Sequence, residues 1–512
     1  MLVFPLTFFA TIGRIVLGIR RSRRTSPIHI ERRTFIERAF LGALALPWVG
    51  ACQAPTPVGE TSARTSTSSR TRVQVQAAVL APIARAPLDS HYLGFSLEKA
   101  KLATPYFSAE NRGLVRLYRL LGPGLLRLGG NTVDLTSWEQ NGEGQMIGII
   151  APSDLRRLAG FLQATGWQIL YGINLGSNTP ERAALEARTA NAILHDHLYG
   201  FEIGNEPDGF YLNGARDPVH YGVPEYMEEW RTYRRAILGA VPNAVLSAPS
   251  GAYGLSGFAD AFAGPEGRTI ELLGIHYYRA SGEDPGSTIP FMLSKDPNLD
   301  RTLALMQKIV QSGQIRGGYR FTEANSFWGG GAKHISNTFA SALWSLDFLF
   351  ETALRGCMGV NFHGGGRSPG YTPIADDDHN VVEVRPEFYG LCLFSLAAKG
   401  RLLGTQVTAG GINFSVYAVR GDDGSLRVVL LNKEESTSAS VHLELGQPVQ
   451  KAAYHTLQAP ALASTNGILL ADSPIDVDGQ WKPAPPQALS PVFGTSLVVD
   501  VPAASAMVLY AD

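Results

Sequence analysis

Between residues 92 and 362, short apolar runs alternate with longer stretches in which apolar residues recur every three to four positions. Compact apolar runs bounded by Gly, Asn or Pro predict buried strands, and the periodic stretches predict amphipathic helices. The strands expected are Tyr92–Leu97, Gly124–Leu128, Gln168–Ile173, Gly200–Gly204, Ala244–Ala248, Leu272–His276, Tyr319–Thr322 and Met358–Phe362. Helices are expected between them, among them Ser153–Ala164, Pro180–His195, Pro224–Gly239 and Asn298–Ser312. Eight such strands alternating with helices predict a parallel (β/α)8 barrel over 90–398 rather than an open doubly wound sheet.

After about Lys399 the helical period stops. Gly411–Val419, the turn Gly421-Asp422-Asp423-Gly424 and Ser425–Leu431 predict a hairpin, and Ser440–Leu445, Ala452–Leu457, Thr495–Val501 and Ala506–Tyr510 continue in strands. Residues 399–512 therefore read as an antiparallel β-sandwich. Arg72-Val73-Gln74-Val75-Gln76 alternates in the manner of an edge strand, and 72–89 is expected to join that sandwich.

The upstream residues read differently. Residues 53–71 are rich in Ser, Thr, Pro and Ala, too polar to bury a core, and read as a disordered tether. Residues 1–52 read as an export leader. Glu31-Arg32-Arg33-Thr34-Phe35-Ile36 resembles a twin-arginine motif, and Val49-Gly50-Ala51-Cys52 resembles a bacterial lipoprotein cleavage box, with Cys52 as the lipidated residue. The expectation is a periplasmic or cell-surface lipoprotein that meets the membrane only through this anchor.

Composition adds limits. The chain has 512 residues and is 45% hydrophobic, enough for a barrel and an accessory domain. Residues 1–52 hold eight Arg and two Glu, so a formal charge of -1 overall leaves -7 on the rest. An acidic body argues against a nucleic-acid partner. Cys357 and Cys392 lie in segments that read as buried, so two free thiols are expected rather than a disulfide framework.

Two acids carry the candidate chemistry. Glu206, in Phe201-Glu202-Ile203-Gly204-Asn205-Glu206-Pro207-Asp208, follows the fourth expected strand, and Glu323, in Tyr319-Arg320-Phe321-Thr322-Glu323-Ala324-Asn325, ends the seventh. Residues at the C-terminal ends of barrel strands face the mouth. Strands four and seven lie on opposite sides of it, as a retaining glycosidase requires of two carboxyl groups about 5–5.5 Å apart. Such a reaction needs no cofactor, and no dinucleotide or phosphate motif is present. The acidic run Asp376-Asp377-Asp378-His379 reads as a solvated loop, so no metal site is expected.

These motifs resemble the retaining (β/α)8 glycosidases, and within them glycoside hydrolase family 79, the β-glucuronidase and heparanase-like family. The matching stretches are Leu126-Arg127-Leu128-Gly129-Gly130-Asn131, Ile203–Asp208, His276-Tyr277-Tyr278, Thr322–Gly331 and Tyr371-Thr372-Pro373. The resemblance implies Glu206 as acid/base and Glu323 as nucleophile, with Asn205 on the sugar 2-hydroxyl. It implies Tyr277 beside the nucleophile, and alternation along the strand then makes Tyr278 a packing residue. It also implies that Gly329, Gly330 and Tyr371 meet a uronic-acid carboxylate, three glycines in a row exposing backbone N–H groups to an anion. Trp328 departs from the family's glucuronidases, which carry Tyr there, and leaves an uncharged or substituted sugar as the alternative to a terminal β-linked uronic acid. Glu98, Asn131 and Asp134 are candidate hydroxyl ligands, each weighed against loop capping. Trp138 either stacks on a sugar or packs, and His363 either lines the pocket or is structural. The reading from another class is a surface lipoprotein that binds carbohydrate without cleaving it.

Overall fold

The computed structural model describes residues 71–512 except 84–87, 213, 218, 253–256 and 490–493. All of these lie in one compact unit, Ser68–Asp512. The expected leader, most of the tether and Cys52 fall outside the described residues.

Eight parallel strands close into a barrel: Leu93–Glu98, Leu125–Gly129, Gln168–Ile173, Leu198–Ile203, Leu246–Gly251, Leu272–Ser281, Tyr319–Trp328 and Cys357–Gly364, the last pairing with the first. Their apolar residues are buried on both faces, as helices outside and side chains inside demand. The helices start where local chemistry favours it: Pro stands in the first turn of Pro152–Thr165, Pro180–Leu194, Val223–Ala240 and Pro297–Gly313. Thr179 and Asp296 cap two of them by accepting backbone N–H bonds.

The barrel floor is polar. Arg320, fully buried, donates to Asn361 Oδ1 at 2.6 Å and to the Tyr92 carbonyl at 3.2 Å. Side chains at Gly94 or Gly359 would overlap this guanidinium, so both positions must stay bare.

Nine C-terminal strands and the N-terminal strand Arg72–Pro82 form one ten-stranded sheet. Its core strands alternate strictly. Val416, Ala418, Val428 and Leu430 face the sheet's own core, while Tyr417, Val419, Val429 and Leu431 join the core shared with the barrel. Between the two lies the helix Phe339–Leu354, with 13 of 16 residues buried and so almost no solvent face. The Phe350 and Tyr417 rings stack across this junction at 4.6 Å. Cys357 and Cys392 are both buried and free.

Two expectations change. The N-terminal strand, Arg72–Pro82, is internal rather than at an edge: it pairs antiparallel with Arg401–Thr408 and parallel with Ser438–Glu444. Its alternation arises because one face, Val75, Ala77 and Val79, is buried. Alternation reports a half-buried face and not a place in the sheet. Arg401–Thr408 itself is a strand that the hydrophobic pattern missed, since only Leu402 and Leu403 are fully buried in it.

Candidate functional site

The mouth of the barrel gathers one cation and several acids. Arg127, in the second strand, is fully buried. Its Nε donates to Glu202 Oε1 at 2.6 Å, Nη1 to Glu323 Oε2 at 2.8 Å and to Ser96 Oγ at 3.0 Å, and Nη2 to Asn205 Oδ1 at 2.7 Å. Such charge-assisted bonds fix all four partners.

Glu323 reaches the mouth through a bulge. Phe321 aligns with Ile275 on the sixth strand, yet Glu323, not Thr322, aligns with His276. Phe321 faces outward onto Phe348 and Tyr277. Strict alternation would send Glu323 the same way, and the extra residue turns it inward. Burial pushes its carboxyl up, but His363, His276, Arg127 and the Tyr278 hydroxyl outweigh this and hold it well below the usual carboxylate range. Tyr278 donates to Glu323 Oε1 at 2.8 Å, and His363 Nδ1 stands 3.4 Å from Oε2.

Glu206 takes the left-handed conformation, φ 48°, immediately before Pro207. A non-glycine residue there is strained, and the residue before proline is kept out of the helical well. Its Oε1 lies 2.8 Å from His276 Nδ1, and its side chain keeps some exposure to the mouth. Burial disfavours protonation of His276, but the charge of Glu323 and the bond to Glu206 raise the imidazole above its ordinary value. One carboxylate oxygen of Glu206, one of Glu323 and a His276 ring nitrogen all lie within 4.8 Å of one another.

Tyr277 and Tyr278 exchange the parts expected of them. Tyr277 donates to Asp296 Oδ2 at 2.6 Å outside the barrel, and its ring stacks on Phe348. Tyr278 is the residue at the carboxylate. Alternation is right but its phase is set by His276, which points inward and takes Tyr278 with it.

Asn205 is held on three sides, by Arg127, by its Nδ2 on Asn131 Oδ1 at 3.3 Å and by its N–H on Asp134 Oδ2 at 3.0 Å. Asp134 also accepts from the Leu175 and Gly176 amides, both at 2.9 Å. Burial lifts its carboxyl to about 6 against those bonds. It thus ties three loops rather than presenting oxygens to a sugar. Glu98 is likewise a cap: its carboxylate accepts from the Thr132 amide at 2.7 Å and the Thr132 hydroxyl at 2.6 Å. Trp138 is buried, donates to Gln140 Oε1 at 3.2 Å and packs in the core. His363 sits beside the pair, its Nδ1 also 3.2 Å from Ser96 Oγ.

On the far side of Glu323, Gly329, Gly330 and Gly331 have φ of 79°, 88° and 90°. Open space surrounds the first two. Tyr371 is buried with its ring 6.0 Å from that of Tyr278, and burial lifts its phenol above the usual range, so it stays a neutral donor. Trp328 is 54% exposed at the rim. The Asp376 and Asp378 carboxylates hold Lys101 in an ion-paired loop.

Arg127, His276 and Glu202 are site residues that sequence reading left without a role, and Tyr278 is one that it assigned to packing. Arg127 carried a signal: a charged residue between Leu126 and Leu128 in an apolar strand requires buried acids opposite it.

No family model matches the chain. It is 24% identical over 331 residues to a β-glucuronidase of Aspergillus niger and 26% identical over 333 residues to the heparanase of Mus musculus. Each match covers 58% of this chain, and the chain spans 60% and 57% of the respective relatives. Among solved structures, a 4-O-α-L-rhamnosyl-β-D-glucuronidase from Fusarium oxysporum superposes with a TM-score of 0.67 at 18% identity, covering 85% of this chain and 99% of that one. A family 51 α-L-arabinofuranosidase from Bifidobacterium longum gives 0.65 at 15%, covering 86% and 100%. These structures share the fold.

Proposed function

For a chain related to the β-glucuronidases and heparanases, we propose a retaining exo-acting β-glycosidase that releases a terminal β-linked uronic acid. The observation that carries the reading is the approach of Glu206 and Glu323 oxygens to within 4.8 Å across the mouth. Retaining enzymes hold their carboxyl groups about 5–5.5 Å apart and inverting ones about 6.5–9.5 Å, and so close an approach of the nearest oxygens supports the shorter arrangement. Glu323, kept anionic by its neighbours, attacks the anomeric carbon as the glycosidic C–O bond breaks and Glu206 gives its proton to the departing oxygen. Glu206 then takes a proton from water, whose hydroxyl displaces Glu323 and restores its carboxylate. Asn205 Nδ2, aimed by Arg127 on its carbonyl oxygen, supplies the donor for a 2-hydroxyl.

The uronic-acid preference rests on the three consecutive left-handed glycines, whose small size lets an anion reach their N–H groups, with Tyr371 alongside. Trp328, exposed where a phenol would complete that cradle, supports a second reading with a substituted or uncharged sugar. Paired 4-nitrophenyl β-glucuronide and β-glucoside assays separate them, with proton NMR of the first-formed sugar. Faster glucuronide cleavage with a β-configured product is expected. A faster glucoside defeats the uronic-acid reading, and an α-configured product defeats double displacement. The Arg32-Arg33 and Cys52 motifs support export as a lipoprotein, which loss of membrane attachment in Cys52→Ser would test.

A further inference from the structure

Arg127 bonds two carboxylates, and the proposed reaction uses only one of them. Among the described residues its hydrogen-bond partners are Glu202, Glu323, Ser96 and Asn205, of which Glu202 and Glu323 are the charged ones. The guanidinium is fully buried and Glu202 is 1% exposed. In the covalent glycosyl-enzyme, Glu323 is a neutral ester. The negative charge it gives up reappears on Glu206, which contacts His276 and not Arg127. A buried guanidinium stripped of its last anion is costly. Glu202 stands 2.6 Å from Nε on the opposite edge of the same guanidinium.

We propose that Glu202 is a positioning residue that acts through Arg127, serving as the counter-charge that stays in place while Glu323 is esterified. The geometry argues for charge rather than for hydrogen bonding alone. Glutamine would accept the Nε–H bond through its amide oxygen equally well. A carboxylate costs more, because its second oxygen, Oε2, is buried with no partner among the described residues. With Glu202 present, Arg127 keeps one anion in every state of the cycle. Without it, forming the ester isolates the cation, and hydrolysing the ester returns its partner. Loss of the charge therefore slows the first step and speeds the second, whereas loss of mere packing slows both.

The inference rests on the double-displacement reading, and one reagent tests both. A 2-deoxy-2-fluoro-β-glucuronosyl fluoride, with its glucosyl congener, slows both steps enough to time esterification as inactivation and hydrolysis as recovery. In Glu202→Gln the ratio of recovery rate to inactivation rate should rise about tenfold or more over wild type, the size expected when a buried cation loses its counter-ion. Glu202→Asp keeps the charge and should hold the ratio within about threefold while both rates fall. An unchanged ratio in Glu202→Gln, or a shift in Glu202→Asp as large as about tenfold, overturns the proposal. Wild type that is never labelled at Glu323 defeats double displacement itself, whereas a labelled wild type with an unchanged ratio defeats only the role of Glu202.

Discussion

The hydroxyl of Tyr278 donates to Glu323 Oε1 across 2.8 Å, on the side of the carboxylate opposite Arg127. The bond lowers the carboxyl's proton affinity and aims its lone pairs. Tyr278→Phe keeps the ring, so thermal stability should change little while kcat falls about 10-fold to 100-fold, the scale of one lost bond to a charged group. The acid limb of kcat/KM should also move to higher pH. Tyr277→Phe should leave kcat and that limb unchanged, since its hydroxyl meets Asp296. The reverse pattern would return Tyr277 to the site.

Glu206→Ala should lower kcat/KM about 10²–10⁴-fold for substrates with poor leaving groups and spare it for activated ones, whose kcat still falls because the water has lost its general base. Added azide should restore rate by attacking the glycosyl-enzyme, giving a β-glycosyl azide detectable by NMR. An α-azide, or rescue seen only in Glu323→Ala, would exchange the two roles.

Two buried carboxyls should shape stability with opposite signs. Glu323 is held low, so its contribution is present above the unfolded carboxylate value and is lost as pH falls through its folded value. Asp134 is raised to about 6, so its contribution is present below its unfolded value and is lost as pH rises through about 6. Urea unfolding of wild type should therefore lose up to about 3 kcal/mol between pH 4 and 7 from Asp134. Asp134→Asn should flatten that slope. An identical slope in the variant would assign it elsewhere.

Lys99 and Glu186 form an ion pair of 2.5 Å, each about fully buried, with the Tyr171 hydroxyl 2.8 Å from the same Glu186 oxygen. Lys99→Met should cost about 3–5 kcal/mol by stranding the acid, and Glu186→Leu added to it should recover more than half. A double-mutant cycle under urea reads the coupling. Additive losses would show that the pair is not coupled.

The barrel was legible because its strands are buried on both faces, which writes them as apolar runs such as Gln168–Ile173. The acids at the mouth were legible because strand ends face it. What escaped was phase. Alternation relates Tyr277 to Tyr278 but does not say which of them faces inward, and the bulge at Thr322 resets the phase without any residue type that marks it. Glu98 and Asp134 stood in the right loops, yet backbone amides claim their oxygens, and only the folded loops reveal those donors. Glu202 was hidden in plain order, since its role depends on a guanidinium 75 residues away in the chain.

The place of Arg72–Pro82 between Arg401–Thr408 and Ser438–Glu444 has a consequence for biosynthesis. In topological terms the barrel is an insertion within the ten-stranded sheet. The early strand leaves the ribosome long before either of its partners and must wait, unpaired, while some 320 residues are made and the barrel closes. Until then two strand edges stay open, so holding them apart is the slow and aggregation-exposed stage of maturation. Point changes at Val75, Ala77 or Val79 should thus reduce yield of folded protein more than they reduce the activity of what folds.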